Sequence, residues 1–527
     1  ADAIELIFEL KDWPWLEKLL VDNAPELIMQ GADGKLTQWL NRFPETIFYK
    51  KPWLLYWHGV SCMVRDPQKS QDSFEIAFSI FRKSNNILGL YLSWSGIILA
   101  NIYKFKSGDS FEKWIPVIYN LMEEFPDIPS ENLETEVLIS FLTGLILTGT
   151  NHDEIKKKGS RLLELYNRTE NDLIRKKAGY LLSLYLTLQG QIHHSETLLA
   201  ALDFDDKEQK SPLILQVIGR HRDILTHFHC ARNNECIELV LNSAEISAFQ
   251  KAHIWLAPLW GHAVAASLSE GDIESGNEFL QKMKSELVKG QNIETFYYNF
   301  LYSWAVLSKD LFAALQLAQN ALNLASGLGI SYLVHTSLIA VSQIYHEIGQ
   351  EEHGWEYLQK AKKMATTTHN PLTEYKNHLT EAFFSLQKGD EKQTAELLEK
   401  ALYIGRHHDI VNFLFWRGSV MASLCARALE LGIEAEYVKS LIRKRNLTIN
   451  ASLQNVENWP WKVKIYTLGR FEIKVDNVLL TFKGKVQKTP LTALKILISL
   501  GCTHVKEERI SDILWPDSSG DAGYRAL

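Results

Sequence analysis

Five side chains able to bind a soft metal fall close together: His221, His227, His229, Cys230 and Cys236. Imidazole nitrogen and thiolate sulfur are good zinc ligands. However, the spacing matches no standard zinc pattern, and consecutive helical positions point in different directions. His227 and Cys230, three apart, can share a face. The cluster reads as buried or surface structural side chains, with no metal assigned. His193-His194 and His407-His408 read as polar residues at helix turns. Gly31-Ala32-Asp33-Gly34-Lys35-Leu36 superficially suggests a phosphate loop but lacks the required spacing and the Ser or Thr after the lysine. No Ser-His-Asp order, paired-carboxylate geometry or His-Glu-x-x-His motif can be defended. The expectation is a protein that is not an enzyme and needs no cofactor of its own.

The residues favour recognition over catalysis. The chain holds 15 Trp, 19 Tyr and 23 Phe. Around residues 255–304 the rings of Trp255, Trp260, Phe296, Tyr297, Tyr298, Tyr302 and Trp304 occupy more than one face of their helices. An amphipathic helix needs a single apolar stripe, so the surplus rings either pack between helices or line a groove. On the second reading Trp255, Trp260, Tyr297, Tyr298 and Trp304 are the candidate ligand-binding residues. Rings with polar tips suit sugars, peptides or aromatic metabolites.

Positioning such a groove falls to a repeat. Turn signals recur at Asp66-Pro67, Gly108-Asp109, Gly149-Thr150, Gly190-Gln191, Asn233-Asn234, Gly271-Asp272, Lys309-Asp310, Gly349-Gln350, Gly389-Asp390 and Gly432-Ile433. The gaps run from 38 to 43 residues, and amphipathic segments of helical length flank each turn. A fixed period in this range marks an α-solenoid, an architecture that offers long binding surfaces. Small residues recur at one position of the second helix (Ser195, Gly276, Ala314 and Gly354), and Leu199, Leu280, Ala318 and Leu358 follow one turn later. The small residue lets two helices approach, and the leucines fill the space between hairpins. Tyr345, Gly349, Gly354 and Ala361 keep the offsets of a tetratricopeptide (TPR) unit, whose usual period is about 34 residues.

Composition agrees with a folded chain. Of 527 residues, 46% are apolar and 23% charged. The net charge of -7 divides unevenly: residues 459–527 carry 11 Lys+Arg against 7 Asp+Glu, a local +4, so the remainder stands at -11. A basic module on an acidic body fits a nucleic-acid contact at one end. Five cysteines form no paired framework, which points to a reducing cytoplasm. The most apolar stretch, Leu88 to Ala100, is too short to span a bilayer, and no membrane association or signal peptide is expected. The chain begins and ends inside helical patterns and reads as a fragment truncated at both ends.

Residues 1–448 are expected to be the solenoid, 449–461 a linker, and 462–527 a small α+β module. In the last of these the period changes to two: Phe471, Ile473 and Val475 alternate with Glu472, Lys474 and Asp476, and Asp476-Asn477 signals a turn. Two helical patterns follow, one through Leu491, Leu494, Leu497 and Leu500, the other from Glu507 to Trp515-Pro516. Leu468-Gly469-Arg470-Phe471, the Asp476-Asn477 hairpin, Val505-Lys506-Glu507-Glu508 and Leu514-Trp515-Pro516-Asp517 together resemble the winged-helix effector domain of OmpR/PhoB type, in the version found in SARP-like and MalT-like bacterial regulators. That resemblance implies DNA as a partner, with a third, recognition helix in the major groove. This helix begins near Asp521, so the sequence carries only its first turns. Lys483, Lys485 and Lys488, where the family has an Arg-Lys pair, with Tyr524 and Arg525, are the implied DNA-binding residues. The three lysines can neutralise phosphate without reading bases, or form a solvated loop.

Trp39-Leu40, Pro44 and Lys51-Pro52-Trp53-Leu54-Leu55-Tyr56-Trp57 are similar to the start of the TPR-like sensor region of MalT-type STAND regulators. That similarity implies an inducer or protein partner on the solenoid, an ATP-binding switch domain outside this sequence, and self-association of the parent. The expectation is therefore an all-α TPR-like superhelix with a C-terminal winged helix, the sensing and DNA-binding portion of a cytoplasmic bacterial transcriptional regulator. The alternative is an interaction scaffold whose winged helix binds protein.

Overall fold

A computed structural model describes residues 2–104, 109–148, 152–188, 191–202, 213–245, 256–288, 292–368, 370–449, 458–476, 478–481, 488–502 and 504–516. The chain divides into two compact units, Ala1–Trp459 and Pro460–Leu527.

The first unit is a stack of helical hairpins of the TPR-like kind. The pairing is set by residues that stop and restart helices. Asn370 caps the helix Pro371–Lys388 by accepting from the Leu372 and Thr373 N–H groups, and Gly389 ends it at φ 75°. Asp390 then accepts from Gln393 N–H and opens Glu391–His407. Asp66, Asp272 and Asp310 repeat that cap before Pro67–Lys83, Ile273–Ser285 and Leu311–Leu328. A side-chain acceptor satisfies N–H groups that have no intrahelical partner. Asp310 serves two of them, Phe312 N at 3.0 Å and Ala313 N at 2.9 Å. Asp310→Ala is expected to lower stability by about 1 kcal/mol in urea unfolding. An unchanged midpoint would show that this cap contributes nothing.

Within hairpins the small-residue position is a helix–helix contact. At Gly354 a Cβ would lie 3.1 Å from the Ser342 carbonyl oxygen of the preceding helix. Ser342 Oγ donates to the Gly354 carbonyl at 2.7 Å. Ser195 Oγ makes the corresponding bond to Ser183 O at 2.9 Å, and Ser70 Oγ reaches Gly59 O at 2.7 Å. Ala314, Ala318, Ala321, Leu358 and Ala361 are fully buried.

Between Pro52 and Lys444 ten such hairpins are described, and most first helices also pack against the first helix of the next hairpin. Ile87–Lys104 is the one described helix long and apolar enough to cross a membrane by length and composition. It is 67% buried, with Tyr91, Trp94, Ile97 and Ile98 wholly enclosed, and packs as a core helix against Pro67–Lys83 and Glu131–Thr148.

Residues 408–417 break the repeat. This non-helical segment follows Glu391–His407 and is buried at Ile410, Val411, Phe413, Phe415 and Trp416. Asn412 Nδ2 donates to Phe228 O at 2.7 Å, and Phe415 packs on Phe300 and Trp304. It returns the chain against hairpins far earlier in sequence. Arg445 adds a second long-range tie, donating to Ser269 O at 2.7 Å.

The second unit contains β1 (Val463–Tyr466), β2 (Glu472–Val475) and β3 (Val478–Leu479) in one antiparallel sheet of order β1-β2-β3. Ile465 faces Ile473, and Lys474 faces Leu479. Two helices follow, Lys488–Ser499 and Glu507–Leu514, packed on each other. Lys495 Nζ lies 4.5 Å from the centroid of the Phe471 ring. The third helix expected from Asp521 lies outside the described residues, so the shown architecture is a small sheet with two helices.

Candidate functional site

Two cavities lie on the face formed by the first helices of the hairpins. One, of about 550 Å³, is bounded chiefly by Pro52–Cys62, Ile87–Lys104, Glu131–Thr148 and Asp172–Leu188. The other, of about 270 Å³, is bounded chiefly by Asp172–Leu188, Leu213–His229, Leu256–Glu270, Asn292–Val306 and Ser331–Glu347. They share the wall residues Leu147, Tyr180 and Leu184 and so lie side by side along this face. The placement follows from the repeat: second helices cover the outside, and first helices turn one face to the interior of the stack.

The first cavity is mainly aliphatic and aromatic, with Tyr56, Trp57, Phe74, Leu99 and Tyr103 in its wall. Its charged side chains are compensated. Lys177 Nζ stands 2.9 Å from Glu136 Oε1, Lys176 Nζ 2.8 Å from Asp172 Oδ2, and Arg65 pairs with Asp33. Burial drives the Tyr56 and Tyr103 phenols well above their usual range, so both are neutral donors.

The second cavity is polar in a different way. Its wall holds three histidines (His221, His229, His262), three tyrosines (Tyr180, Tyr297, Tyr332) and Arg222, and no Asp or Glu is among its described lining residues. His221 and His262 have ring centroids 5.5 Å apart. Burial pulls His229 and His262 down to about 4, so both are neutral near pH 7. The same desolvation pushes Tyr180 and Tyr297 up to about 12. Arg222 is held by its neighbour Asp223, with Nε 2.9 Å from Oδ1.

Behind the wall formed by Tyr332 and His229 lies Lys376, 1% exposed. Its Nζ donates to Thr336 Oγ1 at 2.9 Å and lies 5.7 and 5.9 Å from the Tyr332 and Phe413 ring centroids. Among the described residues no carboxylate pairs with it, and burial lowers its pKa to about 7. One turn before Thr336 on the helix Ser331–Glu347 is Tyr332; between them, His335 Nε2 meets Asn377 Oδ1 at 3.0 Å, while His335 Nδ1 is buried with no hydrogen-bond partner.

The aromatic candidates separate. Tyr297 lines the second cavity. Trp260 stacks on Phe279 of the adjoining second helix at 6.1 Å and 17°, with Lys282 over it. Tyr298 pairs with Tyr302, and Trp304 packs on Phe415. Trp255 lies outside the described residues, as do Lys483, Lys485, Tyr524 and Arg525; Lys488 begins the helix Lys488–Ser499. The His/Cys cluster does not converge. Cys236 is buried, its thiol pushed up to about 12, Cys230 meets Glu196 at 3.3 Å, and His227 is half-buried. Among the described residues no group of three or more His, Cys, Asp or Glu is arranged to hold a metal ion. Sequence reasoning missed His262, His335 and Lys376, which lie on three different helices with no motif linking them.

No family model matches the chain, and no curated protein matches it. Several solved structures are distantly similar. The hetero-tetramer Cut9-Hcn1 of the APC/C is 11% identical, covering 99% of this chain and 91% of that one, with a TM-score of 0.45. A Rap protein complexed with Competence and Sporulation Factor is 12% identical over 60% of this chain and 88% of its own, with a TM-score of 0.41. A STAND protein with a tetratricopeptide repeat sensor, PH0952 from Pyrococcus horikoshii, is 15% identical over 76% and 66%, with a TM-score of 0.34. At such distances they assign no function to this chain.

Proposed function

We propose that this chain is the sensing and output portion of a cytoplasmic transcriptional regulator, in which an elongated, largely apolar ligand occupies the first-helix groove and thereby controls a C-terminal DNA-binding module. The observation that carries the sensing half is the pair of adjacent, mostly apolar cavities with a few polar groups that share the wall residues Leu147, Tyr180 and Leu184. Concave, apolar sites with a few placed polar groups are where small molecules bind. Stacked hairpins couple such a site to the rest of the protein, because successive repeats pack on one another and a wedge between them shifts the stack. The output half is supported by the Leu-Gly-x-Phe and Leu-Trp-Pro-Asp motifs and by the local charge of +4 over residues 459–527. No catalytic role is assigned.

The sensing half is tested with the neutral fluorophore N-phenylnaphthylamine. Saturable binding is expected, weakened about tenfold or more by Leu184→Trp, which puts a larger ring into the wall of both cavities. The fluorophore's failure to saturate would remove the groove as a ligand site. The output half is tested by a salt titration of binding to the duplex upstream of the protein's own gene. A steep loss of affinity with salt, together with preference over unrelated duplex, is expected. No sequence preference at any salt would leave an interaction scaffold.

A further inference from the structure

We propose that the ligand of this face is an uncharged apolar molecule, and that the Glu136–Lys177 ion pair in the first cavity is what excludes charged ones. This rests on the two cavities being the ligand site. Glu136 on Glu131–Thr148 and Lys177 on Asp172–Leu188 both belong to the wall of the first cavity. Lys177 Nζ stands 2.9 Å from Glu136 Oε1, and the two side chains are 23% and 17% exposed, so the pair is at the lining itself and largely out of water. The other charged side chains of that wall are also met, Asp33 by Arg65 and Asp172 by Lys176. In the second cavity Arg222 is met by Asp223, and burial keeps His229 and His262 neutral near pH 7. Among the described lining residues, every Asp, Glu, Lys and Arg therefore already has an opposite charge.

An ionised ligand group entering such a wall loses its water and gains no counter-charge. To gain one it must separate Glu136 from Lys177, which leaves the displaced group as an uncompensated charge in an apolar surround. An alcohol or an ester bears neither cost. It still meets hydrogen-bonding groups, because the Tyr56 and Tyr103 phenols in the same wall are kept neutral by burial. The Glu136 charge bears on the Tyr56 phenol, so a polar group that reaches Tyr56 comes within the field of the pair. The selectivity is two-sided. Without the Glu136 carboxylate, Lys177 becomes a ready counter-charge for an anion. Without the Lys177 ammonium, Glu136 becomes one for a cation.

The test uses the whole chain near pH 7, with bound N-phenylnaphthylamine displaced by four compounds built on one alkyl chain: decanol, methyl decanoate, decanoate and decylammonium. The expected result is that the alcohol and the ester each displace the fluorophore at concentrations about tenfold or more below those of either ion. Glu136→Gln should narrow the preference for decanol over decanoate by about tenfold. Lys177→Met should narrow the preference over decylammonium instead. Because the four-compound comparison is made on the unaltered protein, it stands even if a variant fails to fold. If either ion displaces as well as the alcohol, with N-phenylnaphthylamine still binding saturably, the uncharged ligand is wrong and the ligand site is intact. Preferences that stay unchanged in both folded variants would overturn the role of the Glu136–Lys177 pair. If N-phenylnaphthylamine itself does not saturate, the reading of this face as a ligand site fails.

Discussion

Phe74→Ala is expected to destabilise the protein by about 3–5 kcal/mol, the usual cost of deleting a buried phenyl ring. Phe74 is fully enclosed on Pro67–Lys83, and its ring is wedged between two first helices. A Cβ placed at Gly59 would come within 2.8 Å of that ring, and one at Gly96 within 2.5 Å. The two glycines are therefore the space the ring occupies. Tyr56, whose ring centroid is 5.7 Å away, would lose one of its ring contacts in the wall of the first cavity. Repeat proteins lose stability locally, so hydrogen exchange should accelerate first in residues 52–104. The complementary change, Gly96→Ala, should cost about 1–3 kcal/mol by overpacking the same contact. A Phe74→Ala protein with an unchanged unfolding midpoint would contradict the packing described.

Lys376→Met is expected to stabilise the protein near neutral pH, with an advantage that shrinks as pH rises. The folded-state pKa of Lys376 is about 7 against an ordinary 10.5, with desolvation the cause. Between these values the unfolded chain carries a proton that the folded chain does not, so stability rises with pH across that window. Below about pH 7 the cost of the buried amine is fully present. At 1.36 kcal/mol per pKa unit, that cost is about 4 kcal/mol at pH 7 and nearly gone by pH 10. The groups facing the amine are Thr336, Tyr332 and His335 from Ser331–Glu347, His229 from Leu213–His229, and Phe413 from the returning segment. His229, pulled down to about 4, and His335, about 3, are neutral throughout the window. Comparing wild type with the variant at each pH cancels their contribution and that of Glu294, which burial pushes up to about 7. A stability difference that does not change between pH 7 and 10 would show that Lys376 is not titrating in the folded protein.

The periodic part of the structure was legible because local residues dictate it. Asp-initiated caps and glycine ends at a spacing near 40 residues mark the hairpins, and the small-residue position marks where their helices touch. The strand-to-helix change after residue 462 was legible for the same reason, since alternation at Phe471 to Val475 is a local signal. Residues 408–417 were not, because their burial depends on contacts with Phe228, Phe300 and Trp304, more than a hundred positions away, which leave no periodic trace. The site was only partly legible. Surplus aromatic faces pointed to the region of Tyr297, but the same surplus at Trp260 and Trp304 is spent on packing against Phe279 and Phe415. Lys376 gave no signal, since a lysine in an amphipathic helix ordinarily faces water; its burial follows from neighbouring hairpins closing over it.

On the proposed function, the face formed by the first helices holds the ligand. The most direct measurement is photo-crosslinking with a long-chain alcohol bearing a diazirine on its chain, followed by mass mapping of labelled peptides. Labels are predicted on Glu131–Thr148, Asp172–Leu188 and Leu256–Glu270, reduced by competing unlabelled alcohol and by Leu184→Trp. Labels confined to second helices such as His152–Arg168 and Asn233–Ala244, or labelling that unlabelled alcohol does not compete, would contradict it.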